Sequence, residues 1–260
     1  MKALPSWWFV PVAAALLVLR KPWALHTPQL YAEDGSVFLV QDDVFGAGVI
    51  IEPYAGYLHV LPRLIASLAR LTTDVAWWPA IYNGAAFLLT VALLARFASP
   101  RLDLPGKPWL ALALVLVATT GETFINVTNL QWVTAFFLLL PLFMKPAESW
   151  RSHVVDYAIL AVVGLTGPFA IVFGPLYAWR AWRQRDRHAY GALAVIAACA
   201  AVQLAFMVRT GFPGGTEPAP SHPDVFSPCS PAASSSGRCS APRRRSPNRS
   251  GDARCSAASR

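Results

Sequence analysis

The sequence predicts an all-α fold: a polytopic bundle of transmembrane helices, an extracytoplasmic loop bearing juxtamembrane helices, and a disordered C-terminal tail. Three observations predict it. Of the 260 residues, 55% are hydrophobic and only 14% are charged, whereas a soluble domain carries about 25% charged residues. Several apolar runs approach the roughly 20 residues with which a helix crosses about 30 Å of hydrocarbon. After about residue 213 the hydrophobic periodicity stops. The domains are therefore expected to be residues 1–212, holding about seven spanning or half-spanning helices, and residues 213–260, a low-complexity tail.

The first run, "WWFVPVAAALLVL", follows Lys2 and precedes Arg20 and Lys21. It lacks the small-x-small site of a cleaved signal peptide, and Trp7 and Trp8 suit a membrane interface, so it reads as an uncleaved spanning helix. Residues 54–71, "YAGYLHVLPRLIASLARL", are interrupted by His59, Pro62, Arg63 and Arg70. Leu61, Leu64, Ile65, Leu68 and Leu71 recur at helical spacing, which predicts an interfacial helix with one apolar face. Further runs cover 75–97, 108–121, 130–144, 154–179 and 189–208. The 154–179 run has basic connections on both sides, so it is expected to break at "GLTGP" into two half-helices of about 11 residues each.

Charge orients the chain. Arg96, Arg101 and Lys107 share one connection, Lys145 and Arg151 a second, and Arg180, Arg183, Arg185 and Arg187 a third. Placing all three in the cytoplasm puts the loop after the first helix, and residues 121–131, outside. The net charge of +8 does not indicate a nucleic-acid partner, because much of it lies in the tail, with Arg238, Arg243, Arg244, Arg245, Arg249, Arg254 and Arg260 against Asp224 and Asp252. That tail is expected outside, against the positive-inside rule, and reads as out-of-frame sequence after a truncated membrane protein. Cys199, Cys229, Cys239 and Cys255 match no zinc or redox spacing and receive no role.

The chemistry-bearing residues gather in the expected outer loops. "LYAEDGSVFL" carries Glu33 and Asp34 just after the first apolar run. Two carboxylates, partly desolvated, have a raised pKa suited to a general base for a hydroxyl; the plainer reading is an acidic turn, since Asp-Gly is a turn dipeptide. Asp42, Asp43, Glu52, His59 and Arg63 follow on the same side. His59 and Arg63 are four apart, so a helix brings them together, and the guanidinium suits a phosphate oxygen. "GETFINVTNLQ" supplies Glu122, Asn126, Asn129 and Gln131. Asp156 reads as a partner of a helix N-terminus. No Cys/His metal cluster and no cofactor motif is present, although the outer carboxylates admit a divalent cation.

This order of features resembles the GT-C superfamily of polytopic glycosyltransferases. "YAEDG" stands where those enzymes carry an acidic pair, and "GYLHVLPRLIA" is similar to their juxtamembrane stretch. The resemblance implies that Asp34 or Glu33 is the catalytic base and that the substrate is a polyprenyl-phosphate-linked sugar. Tyr57, His59, Arg63, Asn129 and Gln131 are then the substrate-binding residues. It also implies a multi-pass protein of a bacterial inner (plasma) membrane, with membrane lipid as its partner. The rivals are a transporter or lipid-linked-sugar flippase, which needs polar groups at mid-depth, and an inactive membrane fragment. The charged residues lie at segment ends, which favours a surface site.

Overall fold

The computed structural model describes residues 6–117 and 123–211. The expectations for Lys2, for residues 118–122 with Glu122, and for the tail with Cys229, Cys239 and Cys255 lie outside the described residues. Those described are helical and include no β-strand. In chain order the helices are α1 (Phe9–Arg20), α2 (Trp23–His26), a π-helical turn (Asp34–Leu39) leading into α3 (Val40–Phe45), α4 (Val60–Thr72), α5 (Trp78–Phe97), α6 (Lys107–Leu116), α7 (Leu130–Leu139), α8 (Trp150–Gly164), α9 (Phe169–Gln184) and α10 (Arg187–Thr210).

Among the described residues two stretches are long and apolar enough to cross a membrane: Val75–Phe97, where a 3-10 turn runs into α5, and Arg187–Thr210, which is α10. The other runs give shorter helices than expected. α6 spans 10 residues, or about 15 Å, instead of 108–121, and α7 ends in a 3-10 turn, Leu140–Phe143. The 154–179 run does reverse at 165–168, but its halves are 15 and 16 residues rather than about 11. Each gains a polar turn at its far end. The Ser149 hydroxyl caps α8 by accepting from the Ser152 N–H, and Asp186 caps α10 by accepting from the Ala189 N–H, 2.7 Å.

Seven helices, α1 and α5 to α10, run alternately between two ends of the molecule. At one end the Arg20 guanidinium, closing α1, reaches the carbonyls of Val115 and Val117 at the end of α6. At the other end the Trp8 and Trp109 rings, beginning the same two helices, meet edge to face. α7 and α9 lie parallel: the Tyr177 hydroxyl donates to the Leu138 carbonyl, 2.6 Å, and buried Arg180 donates to the Pro141 and Met144 carbonyls. α8 and α10 also run parallel, Gly164 against Cys199 and Gly191 against Tyr157, where a Cβ on either glycine would meet its neighbour at 3.0 Å or less. Small residues permit that approach. Near the far end Asp156 lies between two arginines, Arg96 at 3.1 Å and Arg101 at 2.6 Å. It is a cross-helix clamp rather than the helix-terminus partner expected.

The reversal at 165–168 leaves peptide groups that no helix satisfies. The extended residues before α4 pair with it: Val60 N–H donates to the Leu165 carbonyl, Gly167 N–H to the Leu58 carbonyl, and Leu61 N–H to the Thr166 hydroxyl, 3.0 Å. Gln203, fully buried on α10, completes the knot. Its Oε1 accepts from Leu58 N–H at 2.8 Å, and its Nε2 faces the carbonyls of Leu58 at 3.3 Å and Gly167 at 3.1 Å. One side-chain amide thus pairs both polar groups of Leu58 as a neighbouring strand would.

α4 is amphipathic in the inverse sense to a soluble helix. Leu64, Leu68 and Leu71 are exposed, while Arg63 and Ser67 are buried and Arg70 turns inward onto Asp42. Ile65, expected on the apolar face, is buried on the inner one.

Gln203→Leu nearly conserves volume in an apolar helix, yet it leaves the Leu58 N–H and the Gly167 carbonyl without the partner that Gln203 gives them. At about 1–3 kcal/mol for each orphaned buried group, the expected result is a fall of several degrees in the melting temperature in detergent. An unchanged melt would remove the amide from this role.

Candidate functional site

The loops at the α4 end of the molecule hold the candidate residues. The stretch leading to Asp34 is held in strained backbone: Ala32 has φ 42°, and Ile125, in the loop facing it, has φ 57°. A β-branched residue there is rare, since its Cβ crowds the backbone. Gly35 sits so close to Leu30 that a Cβ would come within 3.2 Å of the leucine side chain, which accounts for glycine after the aspartate. From Asp34 the chain then makes a π-helical turn, an arrangement frequent at functional sites.

Asp34 is fully buried. Its Oδ1 accepts from the Thr128 hydroxyl at 2.8 Å and its Oδ2 from the Val127 N–H at 3.2 Å. The carboxylate therefore ties the loop after α2 to the loop before α7. Burial raises its pKa from 3.8 to about 6, with the Thr128 and Val127 hydrogen bonds opposing. It is ionised at neutral pH and takes a proton more readily than a surface aspartate. Glu33, half-buried, accepts from the Tyr54 hydroxyl at 3.2 Å. The two carboxylates thus have separate partners, and the pair is not symmetric.

His59 and Arg63 do meet on one turn, the Arg63 N–H donating to the His59 carbonyl. His59 sits among aromatic rings, stacked on Tyr57 at 4.5 Å and flanked by Phe38 and Tyr54. Burial lowers its pKa to about 4, so the imidazole is neutral. Arg63 lies over the Phe38 ring at 5.6 Å and donates from Nη2 to Gln41. Its Nε and Nη1 are buried without a hydrogen-bond partner among the described residues. Burial lowers its pKa to about 10, opposed by the nearby Glu52 and Asp42 carboxylates.

The second loop joins the cluster through Gln131, whose Oε1 accepts from the Tyr57 hydroxyl at 3.4 Å. Asn129 caps α7, its N–H donating to the Asn126 side chain at 2.8 Å. His59 and Arg63 are thus gathered on Phe38 and Gln131 joins them through Tyr57, while Asn129 bonds Asn126 and Asp34 bonds Val127 and Thr128; they do not surround an open hollow. Asp34, His59 and Arg63 are all buried, Asp34 beneath Val127 and Thr128 of loop 123–130 and the other two against the Phe38 ring.

Sequence reasoning missed three participants. Phe38 carries the contacts of His59 and Arg63, and an apolar residue type gives no sign of that role. Thr128 and Val127, which hold Asp34, had no signal beyond a polar loop. Among the described residues no group of three or more metal-ligating side chains comes together. The Asp42 carboxylate is instead taken up by Arg70 and Ser67.

Asp34 and His59 oppose each other in the pH dependence of stability. Between about pH 4 and 6 folded Asp34 keeps a proton that the unfolded chain releases, so its contribution falls as pH rises. Between about pH 4 and 6.5 the unfolded chain protonates His59 while the folded protein does not, so that contribution rises. Each shift amounts to roughly 3 kcal/mol. Relative to the wild type, His59→Gln is expected to melt progressively lower from pH 4 to 6, and Asp34→Asn progressively higher. Parallel curves for all three proteins would contradict the burial of these groups. Compared with protein-family models, curated proteins and solved structures, the chain gives no match.

Proposed function

We propose that this chain is a multi-pass membrane protein that transfers a sugar from a polyprenyl-phosphate carrier to an acceptor hydroxyl outside the cytoplasm, or is a truncated copy of such an enzyme. The membrane part is supported by the surface. Trp7, Trp109, Trp150, Trp179 and Trp182 are all more than half exposed and lie towards one end of the helices; Trp23, Trp77 and Trp132 are equally exposed towards the other. Two aromatic girdles of this kind mark membrane interfaces. The outward leucines of α4 suit a helix lying at headgroup depth.

The transfer part rests on Asp34. A buried carboxylate with a pKa near 6 is what a general base for a hydroxyl requires. In the proposed step Asp34 takes the acceptor proton. The hydroxyl oxygen then bonds to the anomeric carbon, and the bond from that carbon to the carrier phosphate breaks, its electron pair leaving with the phosphate. The unpaired edge of Arg63 is the donor able to steady that phosphate, and neutral His59 lines the approach. A divalent cation is not required by this scheme. The reversal at 165–168 lies at one end of the helices, not at mid-depth, which removes the main support for a transporter.

In membranes supplied with a polyprenyl-phosphate sugar, Asp34→Asn is expected to lower transfer by about 10²–10⁴-fold with insertion unchanged, and Glu33→Gln by much less. The wild-type rate should rise with pH through about 6. Full turnover by Asp34→Asn would eliminate it as the base. Arg63→Lys keeps the charge and loses the planar fork, so it should raise the donor KM well above that of Arg70→Lys; equal values would return Arg63 to a structural role.

A further inference from the structure

Beside the Asp34 cradle a cleft of about 220 Å³ opens between the end of α1, α2, the start of α5 and loop 123–130. It belongs to none of the residues assigned above. Its walls include Lys21, Trp23, Thr27, Gln29, Tyr31 and Asn83. The volume lies below the 300–1,000 Å³ of sites for drug-sized ligands and leaves room for one small ring.

The polar groups on these walls differ in what remains to be satisfied. Asn83 is only 3% exposed, and its Nδ2 donates to the Ala24 carbonyl at 2.8 Å, which fixes the amide. Its Oδ1 is then a buried acceptor with no partner among the described residues. Such an atom asks for a donor, an O–H or N–H, since an unmade buried hydrogen bond costs about 1–3 kcal/mol. The Lys21 ammonium donates to the Phe124 carbonyl and lies over the Tyr31 ring at 5.5 Å. A cationic donor would therefore enter against a like charge within the same small cleft. An uncharged hydroxyl donor meets no such penalty. Trp23, 66% exposed on a four-residue helix at the lip, offers a flat apolar face with a polar edge. A flat aromatic face, a buried amide acceptor, and side-chain hydroxyl and amide groups at the rim are complementary to a sugar ring, which is apolar on its faces and rimmed with hydroxyls.

We infer that this cleft is a carbohydrate subsite, taking one uncharged, hydroxyl-rich ring with a hydroxyl on Asn83 Oδ1 and a ring face on Trp23. The inference rests on the sugar-transfer reading for its role as the acceptor end of the site. The link to Asp34 is short: Tyr31 lines the cleft while its carbonyl accepts from the Asp34 N–H at 2.8 Å. Ile125 forms another part of the wall, two residues before Val127, which holds the carboxylate. Loop 123–130 therefore borders both the cleft and the carboxylate.

The test is binding of methyl glycosides (glucoside, galactoside and arabinofuranoside) to the full chain in detergent, read by saturation-transfer NMR and tryptophan fluorescence. At least one is expected to bind with a Kd of about 1 mM, about −4 kcal/mol. Trp23→Ala, a surface change that spares the fold, should weaken it about tenfold or more, and Asn83→Leu should abolish it. No glycoside binding, binding indifferent to Trp23→Ala, or preferential binding of tetramethylammonium or inorganic phosphate would overturn the assignment. Glycoside binding through Trp23 without sugar transfer would leave the cleft standing and remove the enzyme reading. Transfer with binding indifferent to Trp23 would remove the cleft alone.

Discussion

A peptide group bared in an apolar surrounding must find its partner inside the protein, and this constraint shapes the chain wherever a helix ends. Two buried side chains meet much of the demand at the site end. Gln203 pairs with Leu58 and Gly167 across the 165–168 reversal. Asp34 accepts from Val127 in the strained turn before α7. The first fastens the Leu58 stretch and the α8–α9 reversal to α10, and the second fastens the loop after α2 to loop 123–130. The candidate site exists because these short loops cannot satisfy themselves.

The same constraint accounts for where polar side chains lie. Arg180 closes the carbonyl ends of the α7 region, Asp156 draws Arg96 and Arg101 together, and Asp42 holds Arg70 and Ser67 on the inner face of α4. Leucines consequently face outward from that helix. Three residues are exceptions among those described: Arg63, with Nε and Nη1 unspent, Tyr82, with its hydroxyl, and Asn83, with its side-chain carbonyl oxygen.

Helical architecture was legible from the apolar runs, because their period and length survive any detail of packing. The break at "GLTGP" was legible because Gly167, at φ 101°, and Pro168 cannot continue a helix. Helix lengths were not, since the polar caps at Ser149 and Asp186 start α8 and α10 before their apolar cores, and α9 runs on through polar residues to Gln184. Asp34, His59 and Arg63 could be named from residue type and spacing. That Asp34 is covered could not, because this depends on Val127 and Thr128, 93 and 94 positions away in the chain. Gln203 was invisible for the same reason: within "AAVQLAF" it reads as a single polar interruption, and only its partners give it meaning.

The central claim is that the end carrying Asp34 stands outside the cytoplasm, opposite the Arg183 and Arg185 end of α9. It is tested most directly by single cysteines, Ser36→Cys and Arg183→Cys, introduced into a cysteine-free background and labelled in intact cells with a membrane-impermeant maleimide. Labelling of position 36 in intact cells, and of position 183 only after permeabilisation, is the predicted result. Labelling of position 183 alone, or of both positions in sealed cells, would contradict it.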